Sequence, residues 1–132
     1  MLIYSQIKII RKEIKTMPIM DIRTLRLPKD KKDALAKGIS EAVLPFIAPH
    51  FQIYFNEYEE IYLNGEQVAE PDSLTMTMEG PELSQEQLDA LAKAVNDAVM
   101  KVLNTGTTFV YHPNESKHVL LNGKSLASMM EE

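Results

Sequence analysis

Apolar positions recur along this chain in two rhythms, and each rhythm appears twice. Residues 19–25 alternate, with Met20 and Ile22 on one face and Asp21 and Arg23 on the other, which predicts a half-buried strand. From about Lys29 the set Ala34, Leu35, Ile39, Ala42, Val43 and Phe46 lines one side of a helix. Pro28 suits a helix start, and Pro45 and Pro49 require the helix to end near residues 44–47. Residues 51–55, rich in aromatic and β-branched side chains, read as a second strand. Residues 61–63 then run into Asn64-Gly65, a two-residue hairpin turn.

The cycle restarts at residues 74–79, where Leu and Met alternate with Thr and Glu. Ser84 and Gln87 form a capping box ahead of a helix carrying Leu88, Leu91, Ala92, Val95, Val99, Val102 and Leu103 on its apolar face. Asn104-Thr105-Gly106 stops that helix. Residues 107–112 make the next strand, and residues 119–121 lead to a second turn at Asn122-Gly123. Met76, Met78 and Met100 read as core filling, with Met129 and Met130 in a loose tail.

The letters repeat along with the pattern. Residues 33–43 return as residues 89–99, with seven of eleven identical. Farther on, Phe51, Asn56, Glu57, Leu63, Asn64 and Gly65 recur as Phe109, Asn114, Glu115, Leu121, Asn122 and Gly123. Such self-similarity fixes the architecture. The expected organisation is an extension at residues 1–16, one domain at 17–126 built of repeats 17–70 and 73–126, and a tail at 127–132. A helix joining two strands of one sheet is a right-handed parallel crossover. Two of them give an α+β fold: a four-stranded mixed sheet, both helices on one face, plus short hairpin strands. The other face mixes Asp21, Arg23, Thr75, Thr77 and Glu79 with Ile19 and Leu25, which suits solvent or a subunit interface. The repeated Asn-Glu pair suggests a turn geometry common to both halves.

Charge narrows the partners. The chain carries −5, yet residues 1–16 hold Lys8, Arg11, Lys12 and Lys15 against Glu13, which leaves the remainder at −8. A body that acidic repels a phosphate backbone, so no nucleic-acid partner is expected. No apolar run approaches the roughly 20 residues that span a bilayer, and no membrane partner is expected. Ile3, Ile7, Ile10 and Ile14 fall at helical spacing among the basic residues of the extension. That pattern fits an amphipathic arm, or a segment outside the natural mature chain. The absence of cysteine excludes disulfides and thiolate chemistry and is compatible with the cytoplasm, the expected location.

Few residues carry candidate chemistry. His50, His112 and His118 show no metal-ligand spacing, and no metal site is expected. Glu57, Glu59, Glu60 and Glu115 form a carboxylate group fit for acid–base work or for a solvated surface. No phosphate loop or nucleophile elbow is present.

A tandem β-α-β repeat whose first strand opens Met17-Pro18-Ile19 resembles the tautomerase superfamily, which includes 4-oxalocrotonate tautomerase and macrophage migration inhibitory factor. The Leu-Asn-Gly hairpins after Asn-Glu resemble an uncharacterised bacterial family within it. The resemblance implies a homotrimer with open sheet faces turned inward, no cofactor, and a small enolisable acid as substrate. It further implies an amino-terminal proline as the base, which here is Pro18. The chemistry is simple: a terminal proline nitrogen is an amine with a pKa near 8 that burial lowers toward neutrality. An internal proline nitrogen is an amide without basicity, and residues 1–17 precede Pro18 here. Arginines commonly hold the substrate carboxylate in such proteins. Only Arg23 and Arg26 follow Met17, and Arg26 is the candidate, reaching its own pocket or a neighbouring subunit's, the other reading being a solvated surface charge. The arginine that some members carry on the second strand is missing from residues 52–54, which disfavours a dicarboxylate. Tyr54 and Tyr111 are candidate hydrogen-bond donors to an enolate, or packing aromatics of the sheet. The alternative is a non-catalytic trimeric binding or assembly module in which the extension blocks Pro18.

Overall fold

The structure, a computed structural model, describes residues 18–47, 50–70, 73–125 and 127–128. The expectations for residues 1–16 and for Met129 and Met130 lie outside these. Strand β1 (Ile19–Leu25) and helix α1 (Lys29–Val43) are followed by a 3₁₀ turn at Leu44–Phe46 and strand β2 (Gln52–Tyr58). A short hairpin, β3 (Tyr62–Leu63) and β4 (Glu66–Gln67), closes the first half. The second half repeats the order as β5 (Ser73–Gly80), α2 (Gln85–Leu103), β6 (Gly106–Pro113) and the hairpin β7 (Leu120–Leu121) and β8 (Lys124–Ser125).

The main sheet has the order β2-β1-β5-β6. Each helix crosses between parallel partners, β1 with β2 and β5 with β6, and the halves meet where β1 and β5 run antiparallel. The expected α+β architecture is the observed one.

Alternation within each strand sends one set of side chains under the helices. Met20 and Ile22 of β1 and Leu74, Met76 and Met78 of β5 are fully buried there. They meet Leu35, Ile39 and Val43 of α1 and Leu91, Val95 and Val99 of α2. Both helical triplets are spaced by four, which stacks them on one face. Met100 departs from expectation: it stands 45% exposed, one residue and about 100° round the helix from buried Val99.

The helix ends follow local chemistry. Pro28 occupies the N-cap of α1 without a side-chain cap bond. Ser84 caps α2 through the full reciprocal box with Gln87. Asn104, not Gly106, ends α2 in the left-handed region at φ 51°, and Gly106 already belongs to β6. An asparagine tolerates that conformation because its short amide bonds locally.

Strand β2 runs three residues beyond the expected 51–55 end, and the Asn-Glu repeat is not a repeated turn. Asn56 and Glu57 are inside β2, whereas Asn114 and Glu115 follow the end of β6. Pro113 terminates β6 because it has no N–H for the ladder. In β2 the pairing with β1 continues to Leu25–Tyr58. Asn56 bonds Asp21 across the open face (3.3 Å), and Glu57 points to the helix side.

Two substitutions test this packing. Gly38, inside α1, has only Ala98 within reach of an added Cβ, at an ordinary 3.8 Å. Its repeat mate is Ala94, so Gly38→Ala is expected to raise stability by about 0.5–1 kcal/mol in urea unfolding. Thr24 continues the buried row of β1, and its Oγ1 is the buried side-chain polar atom left without a partner among the described residues. Thr24→Val removes that unmet hydroxyl at similar volume and is expected to gain about 1 kcal/mol in the same measurement.

Candidate functional site

The sequence candidates fall at two opposite poles of β1. Pro18 directly precedes the strand and is buried. Its carbonyl accepts a hydrogen bond from the Gln52 N–H (3.3 Å), which extends the β1–β2 ladder by one step. Its nitrogen closes the peptide bond to Met17 and is an amide in this chain. Ile19 pairs with Glu79, so the next step of the antiparallel register sets Pro18 opposite Gly80.

The wall around Gly80 comes from β6. The Asn114 N–H donates to the Gly80 carbonyl at 2.7 Å. The Tyr111 hydroxyl donates to the Pro81 carbonyl, and its ring stacks on Phe109 at 6.4 Å between centroids. Burial pushes the Tyr111 phenol up to about 12, so it remains a neutral donor throughout the physiological range. A Cβ on residue 80 would stand 2.7 Å from that hydroxyl oxygen, a separation only glycine avoids.

Arg26 lies at the other pole. At about 3.3 Å per residue, the eight steps from Pro18 put it roughly 25 Å away. Its guanidinium is exposed and stands 3.8 Å from Glu59, a loose surface pairing. Arg26 borders a cleft of about 340 Å³ with Thr24, Leu27, Glu70, Leu103 and Thr105 in its lining. A shallower neighbouring depression of about 410 Å³ shares Arg26 and adds Tyr58, Glu59 and Gln67. Pro18 and Arg26 of one chain therefore do not meet.

The two tyrosines also separate. Tyr54 is on the open face, 49% exposed, and its hydroxyl donates to Gln52 Oε1 at 3.1 Å. Tyr111 is on the helix side, half-buried, with its proton engaged by Pro81. An even residue number on β2 and an odd one on β6 reach opposite faces, because Met20 pairs with Ile53 and Met78 with Tyr111.

The four carboxylates are dispersed rather than clustered. Glu57 accepts from Lys32 Nζ at 2.7 Å and from the Leu27 N–H at 2.8 Å, tying the end of β2 to the start of α1. Glu59 faces Arg26, Glu60 accepts from the Tyr62 hydroxyl, and Glu115 pairs with Lys117. The three histidines are exposed and apart. No grouping able to hold a metal ion exists among the described residues. No helix among them is long and apolar enough to cross a membrane.

The Lys32 ammonium and the Leu27 N–H hold the Glu57 carboxyl below the usual glutamate range. A lowered folded-state pKa stabilises fully above the unfolded value near 4.3, and the contribution disappears as pH falls through the folded value. Glu57→Gln is therefore expected to lower stability at pH 7 and to converge with the parent once the pH has fallen below the depressed folded-state value. Urea unfolding at both pH values checks this; a constant difference between them counts against it.

No family model matches this chain, and no curated protein matches it. Solved structures do. The R7 fused 4-OT, a wild-type asymmetric trimer, superposes with a TM-score of 0.75 at 17% identity, over 84% of this chain and 98% of that one. Pt0534 inactivated by 2-oxo-3-pentynoate gives 0.74 at 19% identity, over 84% and 98%. MIF2 of Leishmania major gives 0.66 at 15%, over 83% and 97%. The two-repeat architecture and these superpositions agree: this chain has the tautomerase-superfamily fold.

Proposed function

We propose that this protein is a cofactor-free, tautomerase-like enzyme that moves a proton between carbon and oxygen of a small enolisable acid, with Pro18 as the base. The observation that carries the reading is the setting of Pro18: buried, at the start of the central strand, in a tautomerase-superfamily fold. The base requires a mature chain that begins at Pro18. Its nitrogen then becomes a secondary amine, and burial favours the neutral, proton-accepting form near pH 7.

A homotrimer completes the site in this reading, as the trimeric assembly of the fused 4-OT structures suggests. The open sheet face, with Asp21, Arg23, Tyr54 and Tyr58, is where copies would meet. The 25 Å or so between Pro18 and Arg26 makes a neighbouring copy the source of the guanidinium for a carboxylate. Tyr54 supplies a hydroxyl on that inter-subunit face. A monocarboxylate suits a lone arginine flanked by Glu59 and Glu70 better than a dicarboxylate.

Intact mass and amino-terminal sequencing of protein from its natural source test this directly. A chain starting at Pro18 is expected to ketonise simple enol acids, and Pro18→Ala to lower kcat/KM by about 10²–10⁴-fold. A natural chain that retains Met17 rules out the proline base. The same result would support the second reading, a trimeric binding module, which the amide nitrogen of Pro18 favours in the chain as written.

A further inference from the structure

We infer that Tyr111 is a positioning residue for Pro18, acting through the backbone of Gly80 and Pro81 and not by contact with substrate. Four observations converge on this. The β1–β5 register ends at Ile19–Glu79, and its next step sets Gly80 opposite Pro18. The space where a residue-80 side chain would stand is taken by the Tyr111 hydroxyl, 2.7 Å from the Cβ position. That hydroxyl is committed to the Pro81 carbonyl, the acceptor immediately after Gly80. The N–H of Asn114, the residue that follows β6, pins the Gly80 carbonyl.

Strand β6 and the residue that follows it therefore grip the end of β5 at two consecutive carbonyls. The first grip is ordinary backbone pairing. The second is a side chain held rigid by its stack on Phe109 and unable to ionise at working pH. A strand end bounded by Pro81 tends to splay, since proline cannot donate to a ladder. The phenol does not replace that donor, but it ties the strand end down by donating to the Pro81 carbonyl, and it fills the helix-side flank of Gly80. In this inference the buried Pro18 faces a strand end fixed in position from its far side.

The positional claim stands on register and packing; its chemical meaning rests on the reading of Pro18 as base. The tests separate the two. Hydrogen exchange is followed by NMR in the full chain and in its Tyr111→Phe variant. The amides to watch are Asn114, which bonds Gly80, and Gln52, which bonds Pro18. Both are expected to exchange roughly five-fold faster in the variant, the factor that loss of one hydrogen bond implies. Amides at the far pole, such as Arg23 and Tyr58, should keep the parent rates. A merely structural tyrosine would accelerate all of these amides together, or Asn114 without Gln52, and either pattern overturns the inference.

Gly80→Ala provides a second route, because the new methyl displaces the hydroxyl. It should accelerate the same two amides, and the double variant should exchange no faster than Tyr111→Phe alone. If the natural protein begins at Pro18, the labelling rate of that protein with 2-oxo-3-pentynoate adds a pH profile. Tyr111→Phe admits water and should move the apparent amine pKa up toward about 8. A natural chain that keeps Met17 leaves the exchange result standing while removing the base. Unchanged exchange at Gln52 overturns the positioning role and leaves the base reading intact.

Discussion

Leu35→Ala and Leu91→Ala are each expected to lower the free energy of unfolding by about 2–5 kcal/mol, the largest effects foreseen in this fold. The two leucines are repeat mates, 56 positions apart, and both are completely buried. Leu35 heads the buried stripe of α1 and Leu91 that of α2, and both belong to the same core cluster over the sheet. Removing three heavy atoms at either site loses transfer free energy and leaves a cavity between helix and sheet. The sheet side of that cavity is held by hydrogen bonds on both flanks of β1 and β5, so it relaxes little. Against a total stability of about 5–15 kcal/mol, each change is a large fraction. Urea unfolding checks the result, with a lowered midpoint at constant m. A cost below 1 kcal/mol at both positions would mean that the helices do not bear on the sheet as described.

Gly80→Ala is the second, and it is informative because of what should relieve it. The added methyl meets the Tyr111 oxygen at 2.7 Å, while the next nearest atoms, Tyr111 Cζ and Met78 Cε, stand at a tolerable 3.5 Å. Displacing the hydroxyl is costly, because it breaks the bond to Pro81 and disturbs the Phe109 stack. A cost of about 1–3 kcal/mol follows in the parent. In a Tyr111→Phe background the obstructing atom is gone, and most of that cost should vanish. The double-mutant cycle should therefore show a coupling of about 1 kcal/mol or more. Equal costs in the two backgrounds would place the strain elsewhere, for instance in the backbone of β5.

Most of the core was readable from the sequence, with Ala34 and Met100, both exposed, as exceptions. Met20, Ile22, Leu35, Ile39, Leu91 and Val95 announce their burial through periods of two and of four, and burial follows period directly. The same holds for Ser84 and for the two Asn-Gly turns, where φ is positive at Asn64, Gly65, Asn122 and Gly123. These features depend on a few neighbouring residues, which a single chain displays in order. Duplication added the one long-range inference, since a repeated β-α-β unit restricts the ways that two halves can pair.

Asn56-Glu57 and Asn114-Glu115 mark where this reading ends. The letters repeat, but Pro113 stops one strand and nothing stops the other, so the same dipeptide is ladder in one half and loop in the second. Glu57 then finds Lys32 and the Leu27 N–H, partners 25 and 30 residues away that no local pattern discloses.

Pro18 could be singled out from the sequence, by its place before the first strand. Its surroundings could not. Gly80 and Tyr111 are 62 and 93 positions downstream and carry no motif that links them to it. They come together because β1 lies antiparallel to β5 and β5 parallel to β6, a register set by packing all four strands under two helices. Local sequence determined which side chains face inward, since side-chain direction repeats with the backbone. Only the tertiary structure decided which strand ends share a pole, because that depends on pairing across the whole chain. That decision brings the Tyr111 hydroxyl to Gly80, one register step beyond the Ile19–Glu79 pair that borders Pro18.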